Sequence, residues 1–421
     1  MTTSQILADV DETPGGSRFP RLAAFAGGRW PWVLGCLLSA AWALSFPLVS
    51  TLAPQRSWGL TAGVGYLLAA SAAVLLPRHR VPRTVSALAL LGAVAVPFGV
   101  LIAHGWAQSE VRVVQDSATR LLATGSPYLP NPHGWTGYTP YLPGMTLFGL
   151  PHAFLPGVLG DARIWFLLSF LGSLVAAWYL TTRGAPLRER LRRVAAREPG
   201  AGGSLVVALA LITASPLVAL PAAVSGVDLP MVGGLVLALA LAGRGRGVWT
   251  GVVLGLVCAL KWTAWPAIPI ALLLLCRSHG RRPAARCAAA VVAVGGALVA
   301  PFAWFDSRAM LEQVVRFPLG LSRVHTPANS PLPGHLLAEL GPAGRAASFV
   351  LLGISAVVLV AWLIARPPRT TRQACDRLAL GVALAFLLAP AGRFGYLELP
   401  ALLWLWPRLA HLRERLHTTR G

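Results

Sequence analysis

Long apolar runs separated by clusters of arginine dominate this chain. Hydrophobic residues make up 55% of its 421 positions and charged residues only 12%, about half the charged share of a typical soluble domain. A helix needs about 20 consecutive apolar residues to span a bilayer. The sequence therefore predicts an all-α, polytopic membrane protein with about twelve transmembrane helices, placed at residues 30–53, 58–77, 85–105, 162–181, 204–224, 228–243, 248–260, 263–276, 285–304, 346–365, 378–391 and 396–407.

The arginine clusters predict how the chain is oriented. Its net charge is +21, and all but one of its 36 basic residues are arginine, the exception being Lys261. Such a surplus could indicate nucleic-acid binding, but the apolar composition favours the positive-inside rule as its cause. Placing the arginine clusters in the cytoplasm puts both termini there as well. We therefore expect a lipid bilayer, and no nucleic acid, as a partner.

Two apolar segments must be exceptions if this topology is to hold. Residues 139–160 contain four prolines and are predicted to form re-entrant or amphipathic surface helices on the outer side, which survive only where protein or water covers them. Residues 248–276 could form one long tilted helix with Lys261 at the bilayer centre, or two short helices with Lys261 at their outer tip. The second arrangement keeps every later arginine cluster in the cytoplasm.

These assignments predict four regions. They are a cytoplasmic tail at 1–29, an N-terminal transmembrane hairpin at 30–84, a transmembrane core at 85–407 with outer loops at 106–160 and 305–345, and a cytoplasmic tail at 408–421. The five cysteines are scattered, so we expect neither a metal nor a disulfide framework. The cytoplasmic side has no glycine-rich phosphate loop. We therefore expect no cofactor, an outward-facing site and a lipid-borne substrate.

The first outer loop opens with a stretch, Glu110 to Tyr128, whose apolar residues fall near helical spacing. Gly125 ends this stretch as a helix C-cap would. We predict a short helix lying on the membrane, with Glu110 and Asp116 towards its start. Either acid could take part in chemistry, but Glu110 could equally stabilise the first helical turn, and Asp116 could be a solvated surface residue.

Three motifs follow one another through residues 85–407. The first motif runs from Glu110 to Tyr138-Thr139-Pro140 and contains an acidic residue, a predicted helix, Gly125 and the pair Pro127-Tyr128. The second runs from Gly226 to Lys261 and contains Asp228, an apolar span and two spaced glycines before the lysine. The third, Gly395-Tyr396-Leu397, directly precedes the last predicted span. Their order resembles that of the family 87 glycosyltransferases. Two departures are that Glu110 stands where the family usually has Asp, and that the signature loop follows the third span, so residues 30–77 look like an added hairpin.

The resemblance implies an integral membrane glycosyltransferase with a GT-C-like core. Such enzymes take a sugar, commonly mannose, from a polyprenyl phosphate and transfer it to a glycolipid or glycan acceptor on the outer face. Because phosphate leaves readily, one carboxylate base would suffice, with inversion at the anomeric carbon and cations at the phosphate. The candidate base is Glu110, with Asp116 as the alternate, and the candidate substrate-binding residues are Arg112, Tyr138, Tyr141, Asp228, Lys261, Arg316, Arg323, His325 and Arg393.

Each candidate also has a structural interpretation. Lys261 could snorkel to the headgroups, the arginines of the second outer loop could pair with Asp306 and Glu312, and the tyrosines could form an interfacial belt. A second class of function, a transporter or lipid flippase without chemistry, would use the same intramembrane charges and broken helices. The long polar loops on one side and the lack of two similar halves favour the enzyme. The Ala-, Gly- and Arg-rich composition indicates a GC-rich, actinobacterial genome.

Overall fold

The computed structural model describes residues 28–181, 203–324 and 326–418. Within these ranges the chain is helical with no β-strand, and its only strand-like pairing is an isolated bridge between Asn329 and Gly392. The predicted all-α class is confirmed. The helices are α1 Trp30–Val49, α2 Ala53–Leu75, α3 Val81–Ala103, α4 Ser109–Thr124, α5 Leu150–Phe154, α6 Ala162–Thr181, α7 Gly203–Thr213, α8 Pro216–Val224, α9 Leu229–Gly243, α10 Gly247–Cys258, α11 Ala267–His279, α12 Arg281–Phe305, α13 Ser307–Met310, α14 Pro333–Glu339, α15 Pro342–Ala365, α16 Thr371–Leu388 and α17 Glu398–Thr418.

The N-terminal helices α1, α2 and α3 pack into one apolar cluster together with α8. Helices α2 and α3 approach very closely, because Gly65 and Gly92 face each other with no room for a side chain between them. Helix α3 contains a π-helical stretch at Leu91–Ala95. The indole of Trp58 donates a hydrogen bond of 2.8 Å to the Ala93 carbonyl in that stretch. The wider π-turn thus gives a buried tryptophan its polar partner.

Residues 139–160 form no helix long enough to span a bilayer. They contain a 3₁₀ helix at Pro143–Phe148, the short helix α5 and a second 3₁₀ helix at Gly157–Gly160. Prolines lie in or just before each piece and interrupt regular hydrogen bonding. The structure therefore has the broken, short helices that the prolines predict for this segment.

Residues 248–276 form two short helices. Gly245, before α10, packs against the ring of His279 at the end of α11, and the Nε2 atom of His279 lies 3.0 Å from the Gly243 carbonyl oxygen. The start of α10 and the end of α11 therefore lie side by side. Lys261 lies in the break between α10 and α11, at the other end of the hairpin.

Six helices in the described ranges are long and apolar enough to cross a bilayer, namely α1, α2, α3, α6, α12 and α15. The pair α7 and α8, bent by 69°, would make a seventh. The expectation of about twelve spans is therefore not confirmed. Helices α9, α10 and α11 have only 15, 12 and 13 residues, and α16 and α17 carry several charged residues. A hydropathy window cannot distinguish such short, protein-covered helices from spans.

Helix α9 lies in the interior of the bundle, where 13 of its 15 residues are buried. It packs against α6, α10, α11, α16 and α17. By contrast, the apolar windows of α12 and α15 are 0% and 6% buried within the protein, as expected for helices that face lipid. Because other helices enclose α9, the thickness of the bilayer does not set its length.

The two ends of α9 have different chemistry. At its C-terminal end, Arg244 donates to the Leu180 carbonyl, and the Ser278 hydroxyl donates to the Arg369 carbonyl at 2.8 Å. This basic end gathers loops that are rich in arginine. Asp228 directly precedes α9 at the other end, about 22 Å away by helix rise. We call that other end the site end, because it holds the ion pairs described next.

Candidate active site

A carboxylate and a guanidinium from distant parts of the chain meet at the site end. Glu110, in the first turn of α4, accepts a hydrogen bond from the guanidinium of Arg393 and forms an ion pair with it. Both side chains are partly exposed. The start of α4 is fixed by the Gln108 N–H, which donates to the Val224 carbonyl at the end of α8 over 2.8 Å. Glu110 is therefore held between α8 and the segment that precedes α17.

A second ion pair joins Lys261 to Asp228. The Nζ atom of Lys261 lies 2.9 Å from Oδ1 of Asp228, and the two side chains are 13% and 20% exposed. Lys261 reaches this position because the chain is extended there, between α10 and the 3₁₀ turn at Trp262–Ala264. A charged pair that is largely removed from water is held more tightly than a surface pair.

A single 3₁₀ turn, Phe394–Leu397, connects the two ion pairs. Arg393 directly precedes this turn, and the Tyr396 N–H donates a hydrogen bond to the Arg393 carbonyl at 3.0 Å. The ammonium of Lys261 lies over the Tyr396 ring, 4.6 Å from its centroid, which is a cation–π distance. Arg393 and Lys261 are thus brought together through Tyr396, so the site end holds two cations and two carboxylates close to one another.

The first outer loop supports the break that carries Lys261. The N–H groups of Leu142 and Gly144 donate to the carbonyls of Leu260 and Ala259, at 3.0 Å and 2.9 Å. Tyr141 is buried, and its ring centroid is 6.0 Å from the Lys261 ammonium. Burial, with the nearby Asp228 carboxylate, raises the pKa of Tyr141 well above its usual value. Tyr141 is therefore a neutral phenol at physiological pH.

Tyr138 packs against the second outer loop. Its ring stacks on Phe317, with centroids 4.2 Å apart, so one ring face is already covered. Burial and the Glu312 carboxylate raise the pKa of Tyr138. Beside it, the buried Gln313 accepts a hydrogen bond from the Thr139 N–H at 2.9 Å and donates to the Leu129 carbonyl at 2.6 Å. The two outer loops are therefore joined directly.

The structure keeps the other predicted site residues apart from the two ion pairs. Arg112 and Asp116 lie on exposed positions of α4, and Asp116 follows Glu110 by six residues, which turns it away by about 240°. Arg316 is exposed and pairs with Glu312 at 3.5 Å on its own helical turn. Arg323 is also exposed, and His325 lies outside the described residues. Of the predicted set, Glu110, Tyr141, Asp228, Lys261 and Arg393 are brought together.

Sequence reasoning missed three polar residues at this end. Glu398 is buried as the first residue of α17. Arg163 is buried and pairs with Asp161 at 2.7 Å. Gln313 is the third. A charged residue inside or beside an apolar run was the available signal for Arg163 and Glu398, because such residues are rare in membrane helices unless they are paired or functional.

Potential metal ligands are dispersed over the described part of the chain. No group of three or more His, Cys, Asp or Glu side chains comes together there in a way that could hold a metal ion. Arg393 and Lys261 are the cations of the two ion pairs that involve Glu110 and Asp228. Both can bind an anionic oxygen, the arginine through a planar fork and the lysine as a point charge.

The structure thus has a bundle of apolar helices with an ion-paired carboxylate and two cations at one end. This is the architecture of a membrane protein with a charged site. The family comparison names the class, since the model of glycosyltransferase family 87 matches residues 138–390, more than half of the chain. The chain belongs to this family and is a membrane glycosyltransferase. The match includes Tyr141, Asp228 and Lys261 but ends before Arg393 and begins after Glu110. Neither the curated proteins nor the solved structures gave a match.

Proposed function

We propose that this glycosyltransferase takes mannose from a polyprenyl phosphate and transfers it to a glycolipid or glycan acceptor. The observation that carries the proposal is the ion pair between one accessible carboxylate, Glu110, and Arg393. A second cation, Lys261, pairs with Asp228 and lies over the ring of Tyr396, in the turn that Arg393 directly precedes. Sugar transfer from a phosphate donor needs one base for the acceptor hydroxyl and positive charge for the leaving phosphate. The site end offers both.

In the proposed reaction, Glu110 accepts the proton of the acceptor hydroxyl while that oxygen bonds to the anomeric carbon of the donor. The bond from this carbon to the phosphate oxygen breaks, and its electron pair leaves with the phosphate. Arg393 and Lys261 stabilise the charge of the leaving phosphate. Attack opposite to the leaving group inverts the anomeric centre. Because Arg393 pairs with Glu110 in the structure, donor binding to Arg393 would release the carboxylate for its task as base.

The proposed location of the site is the outer face of the membrane, with both termini in the cytoplasm. The basic end and the site end lie at opposite ends of α9. Loops rich in arginine remain in the cytoplasm during membrane insertion. This supports a site that receives its substrates from the outer leaflet and the extracytoplasmic space.

The test compares Glu110→Gln with Asp116→Asn in purified protein supplied with labelled polyprenyl-phosphate mannose. Removing a general base lowers the rate by about 10²- to 10⁴-fold, so we expect that loss for Glu110→Gln. We expect Asp116→Asn, on the exposed side of the same helix, to stay within about twofold of the unaltered protein. Full activity in Glu110→Gln would refute its role as base, and a label that never leaves its lipid would favour transport without chemistry.

A further inference from the structure

Glu398 stands out among the groups that the proposed reaction does not use. Its residue is 2% exposed, and its Oε1 atom has no hydrogen-bond partner among the described residues. The Asp228 carboxylate lies close enough to interact with it electrostatically. Glu398 also directly follows the turn that carries Tyr396, whose ring contacts the Lys261 ammonium.

The groups that face Glu398 determine its charge state. Asp228 already pairs with Lys261, and the phenols of Tyr141 and Tyr396 lie beside that pair. Among the described residues, no cation forms an ion pair with Glu398 itself. Burial of an unpaired carboxylate is strongly unfavourable, so the neutral acid is the favoured form of Glu398. A neutral carboxyl group has one O–H to donate.

If the proposed function is correct, Lys261 binds two groups in turn, Asp228 and the donor phosphate. It holds Asp228 in the structure, and it must turn towards the donor phosphate when the donor binds. That turn would leave Asp228, only 20% exposed, without its cation. We propose that Glu398 is a positioning residue whose protonated carboxyl group hydrogen-bonds Asp228 when Lys261 turns to the phosphate. The proton stays between the two carboxyl groups, and no bond to substrate is made or broken.

The test measures equilibrium binding of a short-chain polyprenyl phosphate to the full-length protein, without sugar transfer. We expect Glu398→Gln to bind within about twofold of the unaltered protein, because an amide N–H can also donate to Asp228. We expect Glu398→Leu to bind about 10-fold more weakly, the effect of losing one hydrogen bond to a charged group. The control is Glu339→Gln, an exposed carboxyl group on α14, which should leave binding unchanged.

Two further measurements separate this role from a structural one. We expect Glu398→Leu to unfold at an unchanged or higher temperature, because leucine buries no unpaired polar atom, whereas a structural role would lower unfolding temperature and binding together. We also expect ligand binding to weaken as the pH rises and Glu398 loses its proton, less steeply in Glu398→Gln. Unchanged binding in Glu398→Leu, or equal losses in both variants, would overturn the proposal. A failure of the unaltered protein to bind the lipid phosphate would instead overturn the proposed function.

Discussion

Arg163 shows how one buried side chain can hold several segments in place. Its guanidinium donates to both carboxylate oxygens of Asp161, at 2.9 Å and 2.7 Å, and to the carbonyls of Trp106 and Ala223, each at 2.9 Å. Those carbonyls belong to the chain just before α4 and the end of α8. Arg163 therefore fixes the two segments that position Glu110, although it lies outside the ion pairs of the site.

Replacement of Arg163 by methionine tests this role. We expect Arg163→Met to lower the free energy of unfolding by about 3 kcal/mol, because the partly buried Asp161 would be left as an unpaired charge. The measurement is thermal unfolding in detergent micelles.

An arginine on the surface provides the comparison. Arg345→Met, at an exposed position of α15, should change stability by less than about 0.5 kcal/mol. Equal effects of the two substitutions would mean that Arg163 does not join the segments as described.

The broken elements around Lys261 depend on close backbone contacts. A side chain at Gly144 would place its Cβ 2.7 Å from the Ala259 carbonyl oxygen, in the contact that holds the break between α10 and α11. Gly172, in the middle of α6, has open space in the same position. The two glycines thus form a matched pair, one required by packing and one not.

Alanine at each glycine should therefore have opposite effects. We expect Gly144→Ala to destabilise the protein by about 1–3 kcal/mol, because the backbone must shift, and to raise the donor KM by displacing Lys261. We expect Gly172→Ala to be neutral or to stabilise by up to about 1 kcal/mol, since alanine favours helix. Unfolding temperature and donor KM, measured on both variants, check the expectation; a tolerated Gly144→Ala would show that the contact can loosen.

The π-helical stretch Leu311–Arg316 presents Gln313 to the first outer loop. We expect Gln313→Ala to leave the Thr139 N–H without its partner and to speed amide hydrogen exchange around residues 138–141, because an unmade buried hydrogen bond is unfavourable by about 1–3 kcal/mol. Glu312→Ala, the half-exposed neighbour, should leave exchange there unchanged. Equal protection from amide hydrogen exchange at residues 138–141 in both variants would show that Gln313 does not join the loops.

The two ends of the bundle should differ in their access to reagents from outside the cell. Arg323 is exposed at the site end and Arg369 is exposed at the basic end. In a Cys276→Ala background, which removes the one half-buried native thiol, we expect a membrane-impermeant maleimide to label Arg323→Cys in intact cells. Arg369→Cys should be labelled only after lysis. The reverse pattern would invert the proposed topology.

Much of this architecture can be predicted from the sequence, but the reasons differ from feature to feature. Apolar composition predicts the all-α class, the prolines predict the interruptions at residues 139–160, and the positions of the arginine clusters favour the break at Lys261. The number of spans could not be predicted, because α9 is apolar on all sides whether lipid or protein surrounds it. The pairing of Glu110 with Arg393 joins positions far apart in sequence, and local patterns carry no information about such contacts. Glu398 was missed because it looked like an ordinary helix start.

The enclosure of α9 has a consequence for the order in which the protein is made. Its covering helices α16 and α17 leave the ribosome well after α9, whereas α6 leaves before it. Chains are synthesised from the N-terminus, so α9 remains partly uncovered until α16 and α17 have been made. Arg393 and Glu398 arrive with those same helices. The proposed site is therefore incomplete in a nascent chain that has not yet reached α17, and a message truncated before α16 would yield a protein without Arg393 and Glu398.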